Sequence, residues 1–274
     1  MGKICIIGPR SSGKTTYLAG LAYWPDNQRR GKKSSKFSVQ AFGDAEALVK
    51  KAENIICEGA SLEQTNIAGG IDEAPLYQFQ VKINHCLNKS EVFDLVVRDY
   101  PGEIFDELAN NSLNPLHEEF IDECLLEDVD GCLILLTEWT KGNDQFYNQV
   151  MSNFIGLMDY RKRLSNLRLA VAMSKCERGE LWPGRLEPEL DIFEAHLPRT
   201  TNLLRERIPK SNLNLYAIST FGVLKRTDPR PNRTDMLGNN RRRAVLRETS
   251  HWRPYNMIAP LYWLSTGKKI RSEV

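Results

Sequence analysis

No apolar run in this 274-residue chain is long enough for a membrane-spanning helix. The longest is near Cys132-Leu133-Ile134-Leu135-Leu136, against the roughly 20 residues a span requires. Nor does the N-terminus carry the basic, apolar and small-residue series of a secretory signal; it enters a strand-like run at once. Six cysteines stand at positions 5, 57, 86, 124, 132 and 176, and no two have the two-residue spacing of zinc ligands or thiol-exchange pairs. They read as small core residues of a reduced, cytoplasmic protein. An excess of charge is also lacking: Lys and Arg number 37 against 35 Asp and Glu, a net charge of +2, so the chain as a whole has no pull toward nucleic acid or a membrane surface. There is no internal repeat. The three Asn-x-Ser/Thr matches, at Asn88, Asn110 and Asn232, read as chance.

What is present begins directly behind the apolar run Lys3-Ile4-Cys5-Ile6-Ile7. The segment Gly8-Pro9-Arg10-Ser11-Ser12-Gly13-Lys14-Thr15 has glycines at both ends and a Lys-Thr pair at its exit, and Thr16-Tyr17-Leu18-Ala19-Gly20-Leu21 continues as a helix. A strand, a glycine-rich turn and a helix in this order form a phosphate cradle. The backbone wraps the oxygens, and its N–H groups and the helix N-terminus supply fixed positive potential. Lys14 is placed to reach the β- and γ-phosphates and Thr15 to ligate Mg2+. The expected ligand is a nucleoside triphosphate, held by Gly8, Ser11, Ser12, Gly13, Lys14, Thr15 and Thr16.

Apolar runs near 3–8, 76–84, 92–98, 130–137, 167–174 and 213–218 alternate with helical patterns near 103–127, 142–165 and 188–207. This alternation predicts an α/β fold, a mixed but mostly parallel sheet flanked by helices. The runs 76–84 and 92–98 are so close that they form an antiparallel hairpin. Residues 1–224 are expected to make one domain with an insertion at about 25–75, carrying a short strand at 37–42 and a helix at 44–58. From Lys225 to Arg253 there are nine basic and three acidic residues among Pro, Asn and Asp, which reads as a basic mobile loop. A C-terminal helix within 254–274 is expected to pack on the same domain.

The second informative segment is Asp94-Leu95-Val96-Val97-Arg98-Asp99-Tyr100-Pro101-Gly102-Glu103. Asp99 ends a strand, the edge at which ligands of open α/β sheets gather, and can hold Mg2+. Gly102, three residues on, can bring a backbone N–H close to a γ-phosphate because it has no Cβ.

With these residues the chain resembles P-loop GTPases of the translation-factor and Ras-like class, and within that class the bacterial double-GTPase proteins of conflict and signalling systems. The resemblance runs through Gly8 to Thr16, Thr65, Asp99 to Glu103, Ser174 to Glu177 and Ser219 to Gly222. It implies a Ras-like G domain that binds GTP or GDP with Mg2+, with Thr65 as a switch threonine closing over the metal or else an ordinary loop threonine. Glu103 stands where Ras-like enzymes carry a water-orienting Gln. It either positions water, at an electrostatic cost beside the γ-phosphate, or opens the following helix at its positive end; the two roles are compatible. Lys14, Gly102, Glu103 and Arg10 make up the expected catalytic set; Arg10 is a better-placed positive charge than Arg98, which points to the opposite sheet face, or else Arg10 is solvated or faces a partner. Base recognition falls to Ser174-Lys175-Cys176-Glu177, where the family carries Asn-Lys-x-Asp, and to Ser219 and Thr220. Ser for Asn and Glu for Asp leave GTP over ATP open.

The expected function is a slow, Mg2+-dependent GTP hydrolase whose loops change order with the nucleotide for a protein effector to read. A P-loop ATPase using Glu138, a P-loop kinase with the 241–243 arginines as a lid, and a nucleotide-binding adaptor with negligible hydrolysis are the alternatives. Nucleic-acid binding by the basic stretch is not expected.

Overall fold

The computed structural model describes residues 2–24, 36–59, 75–84, 90–110, 115–238 and 241–270. Strand β1 (Gly2–Ile7) is buried along almost its whole length, as a strand covered on both faces must be. It lies parallel to and between β4 (Ser90–Asp99) and β5 (Val129–Leu136). With β2 (Phe37–Phe42), β3 (Leu76–Asn84), β6 (Arg168–Met173) and β7 (Leu213–Ala217) these form a seven-stranded sheet of order β2-β3-β4-β1-β5-β6-β7. β3 runs antiparallel to both its neighbours, in register from Leu76 opposite Arg98 to Asn84 opposite Ser90; the other neighbouring pairs are parallel. The fold is thus α/β with a mostly parallel sheet flanked by helices, and the 37–42 strand is added at its outer edge.

Two apolar cores, one on each sheet face, hold the layers together. On one face α1 (Lys14–Ala22) and α2 (Asp44–Glu53) contribute Tyr17, Leu18, Leu21 and Leu48. On the other, α3 (Glu103–Asn110), α4 (Pro115–Cys124) and α5 (Lys141–Tyr160) contribute Phe105, Phe120, Tyr147 and Phe154. Burial of such side chains contributes about 1.5–3 kcal/mol each relative to exposure.

Two long helices expected from periodicity are each divided. Within the 103–127 pattern α3 is described to Asn110 and α4 from Pro115, whose missing N–H and fixed φ suit the first position of a helix. The 188–207 pattern becomes a π-turn at Glu189–Glu194 followed by α7 (Pro198–Arg207), again with Pro in the first turn. A one-turn α6 (Leu181–Gly184) precedes them.

The largest departure lies in 225–253. In place of a loop it forms two hairpins, β8 (Val223–Lys225) with β9 (Asp228–Pro231) and β10 (Arg233–Gly238) with β11 (Arg241–Leu246). With few apolar residues these strands show no period-2 alternation, so sequence patterning is silent about them; backbone pairing, one buried amide and the buried Leu224 and Leu246 hold them. Asn232 is fully buried, donates from Nδ2 to Glu248 O at 2.9 Å and accepts at Oδ1 from Glu248 N at 2.8 Å, while its own N–H bonds Gly222 O at 2.9 Å. The chain then returns to the first core as α8 (Ile258–Thr266), almost wholly buried, and Tyr17 Oη donates to Met257 O at 2.5 Å just before it. Among the described residues no helix is long and apolar enough to cross a membrane.

Asn232→Ala leaves two main-chain groups of Glu248 without partners. Denaturant unfolding is expected to show a loss of about 1–3 kcal/mol, with limited proteolysis cutting first within 233–246; unchanged stability and protection would refute this account of the hairpins.

Candidate nucleotide-binding site

The turn after β1 is shaped at Gly13, whose φ of +94° lies in the left-handed region and which caps α1. Ser11 also has positive φ, +62°. The carbonyls of this loop are taken by side-chain donors. Lys14 Nζ donates to Gly8 O at 2.7 Å and to Pro9 O at 3.2 Å, Lys175 Nζ donates to Ser11 O at 2.5 Å, and Ser174 Oγ donates to Ser12 O at 2.7 Å. Ser12 is fully buried and its Oγ has no hydrogen-bond partner. Thr16 is half-buried on the first turn of α1.

Asp99 at the end of β4 lies beside this loop, opposite Ile6 of β1. Thr15 Oγ1 donates to Asp99 Oδ2 at 3.2 Å, whereas Asp99 Oδ1 is buried without a partner. Asp99 is only 5% exposed and Lys14 8%. Burial raises the Asp99 carboxyl above its ordinary value, opposed by the Lys14 charge and the Thr15 bond. Burial also lowers the Lys14 ammonium, opposed by Asp99 and Glu103.

Gly102 packs on the backbone of Arg10: a Cβ there would stand 2.7 Å from Arg10 N and 2.8 Å from Arg10 Cα. No other residue fits without moving the phosphate loop. The next residue, Glu103, opens α3 and pairs with Arg10 Nη2 at 2.7 Å. Glu103 therefore sits at a helix N-terminus and faces the loop at once. Arg98, on the other face of β4, is held by Glu123 at 2.9 Å. Glu138 is about half exposed and paired with Arg178 at 3.5 Å. Thr65 lies outside the described residues.

The loop after β6 is joined to the loop after β7. Cys176 N bonds Ile218 O at 3.1 Å and Ile218 N bonds Met173 O at 2.9 Å. Lys175, at φ +57°, reaches across the phosphate loop, with Cε 3.8 Å from where a Gly13 Cβ would be. Glu177 is buried, one oxygen paired with Arg233 Nη1 at 3.2 Å and Oε2 without a partner. Arg233, at the start of β10, stands over the Phe221 ring at 5.7 Å. Sequence reasoning missed it, because it lies in the stretch read as a loop and no spacing links it to Glu177. Ser219 is committed to the fold: its N–H donates to Tyr255 O at 3.0 Å and its Oγ accepts from Gly222 N at 2.7 Å. Thr220 O accepts from Trp252 Nε1 at 2.7 Å. A cleft of about 380 Å³ lined by Arg178, Arg233, Asp235 and Arg247 continues from this loop.

No family model matches the chain, and no curated protein matches it. Solved structures do. The signal recognition particle receptor SRb-GTP/SRX complex from Chaetomium thermophilum aligns at 13% identity and TM-score 0.42, covering 81% of this chain and 92% of that one. The S. cerevisiae Ski7 GTPase-like domain bound to GTP aligns at 13% identity and TM-score 0.40, covering 80% and 42%. Sup35 complexed with GDP aligns at 10% identity and TM-score 0.30, covering 80% and 37%. The chain thus spans less than half the length of the Ski7 and Sup35 chains.

The Lys175 ammonium is pushed down from 10.5 to about 8, first by burial and then by the charges of Arg233 and Arg178. Between these two values the unfolded chain holds a proton that the folded chain has released, so stability without ligand rises with pH across that window. Lys175→Met is expected to be more stable than the parent at pH 7, the difference shrinking toward pH 10.5. Thermal melts of both proteins against pH check this, and a constant difference would contradict it.

Proposed function

We propose that the chain is a Mg2+-dependent GTP-binding protein of the cytoplasm that hydrolyses GTP slowly and serves as a nucleotide-state switch for a protein partner. The observation that carries this reading is the convergence on one sheet edge of Lys14, Thr15 and Asp99 with unpartnered buried oxygens at Ser12 and Asp99. A loop whose carbonyls are held by side-chain donors has its peptide N–H groups turned the other way, toward an anion. Lys14 then leaves Gly8 O and Pro9 O for the β- and γ-phosphates.

The donor set fits Mg2+: Thr15 Oγ1 and Asp99 Oδ1 are hard oxygens, one of them without a partner. When bound, the ion neutralises charge shared by the β- and γ-phosphate oxygens. Thr65 is assigned to the same ion. Gly102, in van der Waals reach of Arg10, is placed to report an added γ-phosphate through the start of α3. Arg10 and Glu103 satisfy each other across the two loops, so Glu103 reaches an attacking water only after that pair opens. This supports slow turnover, and it also favours the second reading, an adaptor with negligible hydrolysis.

For the base, Glu177 Oε2 is the unpartnered acceptor a guanine N1–H requires, and Lys175 covers the ring from the phosphate-loop side. Ser174 anchors the loop, Thr220 lies in the second loop and Ser219 shapes it. Arg233 fixes the rotamer of Glu177 and so belongs to base recognition. The sequence resemblance to bacterial double-GTPase proteins supports a partner drawn from a defence or signalling complex.

Titration with fluorescent GDP, GTP and ATP analogues in Mg2+ tests the reading. Guanine nucleotides are expected to bind in preference to ATP, Lys14→Ala to weaken GTP and ATP by more than about tenfold, and Glu177→Ala to weaken GDP and GTP, but not ATP, by about 1.5–3 kcal/mol. Equal ATP binding, indifferent to Glu177→Ala, moves the chain to the ATPase alternative. Arg10→Ala separates switch from adaptor: single-turnover hydrolysis that rises in this variant shows that the Arg10–Glu103 pair restrains Glu103, and absent hydrolysis in both proteins supports the adaptor.

A further inference from the structure

Three of the dispersed cysteines meet. Cys5 of β1 and Cys132 of β5 are register partners on adjacent strands, and Cys124 ends α4 above them. All three are buried, and their sulfurs lie within 4.8 Å of one another. Thiolates bound at about 2.3 Å to a common ion stand about 3.8–4 Å apart, so the cluster needs only a small contraction.

Isolated buried thiols are ordinary core residues; these three lie together in the second apolar core, and a chain of polar side chains reaches them there. Cys5 Sγ is 3.2 Å from Tyr100 Oη, which donates to Glu123 Oε2 at 2.6 Å. Glu123 is held in turn by Arg98 at 2.9 Å and Lys3 at 3.6 Å. Arg163, 5% exposed, donates to Val129 O at 2.6 Å, but its Nε has no partner. The Cys124 hydrogen bond and, more weakly, the Arg163 charge pull the Cys132 thiol down, but the Cys5 hydrogen bond and burial outweigh them and hold it well above its ordinary value without an ion. A buried guanidinium with an unsatisfied donor is costly unless an anion stands near. Thiolates at this cluster would be that anion.

We propose that Cys5, Cys124 and Cys132 form a binding site for one thiophilic d10 ion, Zn2+ or Cu+, joined to the Asp99–Gly102 segment through Tyr100. Three sulfurs select such ions over the hard Mg2+ expected on the far side of that segment. The three thiols each release a proton on binding, which leaves one excess negative charge with Zn2+ or two with Cu+; the Arg163 guanidinium offsets part of it, Lys3 being already paired with Glu123 and Asp128. With Cys5 as a thiolate, Tyr100 would turn its one O–H from Glu123 to Cys5 Sγ and act as its outer partner, leaving Glu123 to Arg98 and Lys3. The ion ties β1, α4 and β5 together behind the phosphate loop. Because the sulfurs are enclosed, it enters as the chain folds and exchanges slowly afterward.

The test is elemental analysis of the full chain, purified under reducing conditions without chelator and then unfolded. About one ion of Zn2+ or Cu+ per chain is expected, which element is found deciding between the two. Metal-free chain refolded with Co2+ alone should show a thiolate-to-cobalt charge-transfer band. Cys124→Ser should lower ion content and uptake by more than about tenfold. Lys14→Ala should retain the ion, so the result is independent of nucleotide binding. Wild-type protein that folds yet carries less than about 0.1 ion per chain, and takes up neither Zn2+ nor Cu+ on anaerobic refolding, would overturn the proposal, whether or not the serine variant folds.

Discussion

Two charges removed from water set the conditions for the rest of this molecule. Lys14 and Asp99 are brought together where β1 and β4 end, both nearly inaccessible to solvent. Burial disfavours the charged form of each, and their attraction offsets only part of that cost. The lysine is quieted by the two loop carbonyls of Gly8 and Pro9, while one oxygen of the aspartate has nothing. A folded protein keeps such an arrangement when a ligand completes it. The loops around the pair are tied to one another: α1 and the loop after β6 supply the side chains that hold the carbonyls of residues 8–12, and the segment after β4 presses Gly102 against Arg10.

The C-terminal third is part of this arrangement. The hairpins β8–β9 and β10–β11 are held to the sheet domain by Asn232 and by the antiparallel bridge between Ser219 and Tyr255. Trp252 donates to Thr220 O and stacks on Tyr23 at 5.7 Å, so the loop after β7 is braced from outside. The same extension delivers Arg233 to Glu177. A carboxylate one methylene longer than aspartate has more rotamers to lose, and an arginine at 3.2 Å removes that freedom in the folded chain, which is what the proposed role in base recognition needs. The Glu-for-Asp departure and the arginine are thus one feature.

The opposite sheet face has its own polar interior. Tyr100, one residue past Asp99, points away from the phosphate loop to Cys5 and Glu123. Successive residues of one segment therefore serve the two faces of the sheet, as strand geometry requires. Whatever fixes Tyr100 also fixes the backbone that carries Asp99 and Gly102, which links the thiol cluster mechanically to the proposed nucleotide edge.

Much of this was legible in the sequence, because it rests on local patterns. A strand, a glycine-rich turn and a Lys-Thr pair leave one arrangement open, and β1 and α1 follow it. Apolar runs of six to ten residues can only be strands of a covered sheet, and a gap as short as that between Asn84 and Ser90 only permits a hairpin. Asp99, Gly102, Glu103, Ser174, Lys175 and Glu177 all come to the same sheet edge because each follows a strand end. What the tertiary structure alone decided involves residues far apart in the chain or held by main-chain bonds. The 225–253 hairpins pair through their backbones with too few apolar side chains to show a period. Arg233 meets Glu177 across 56 residues, and Cys5, Cys124 and Cys132 meet only because β5 is laid beside β1. Side-chain spacing reports the faces of one element, whereas the meeting of separate elements depends on how the sheet is ordered and where the chain returns.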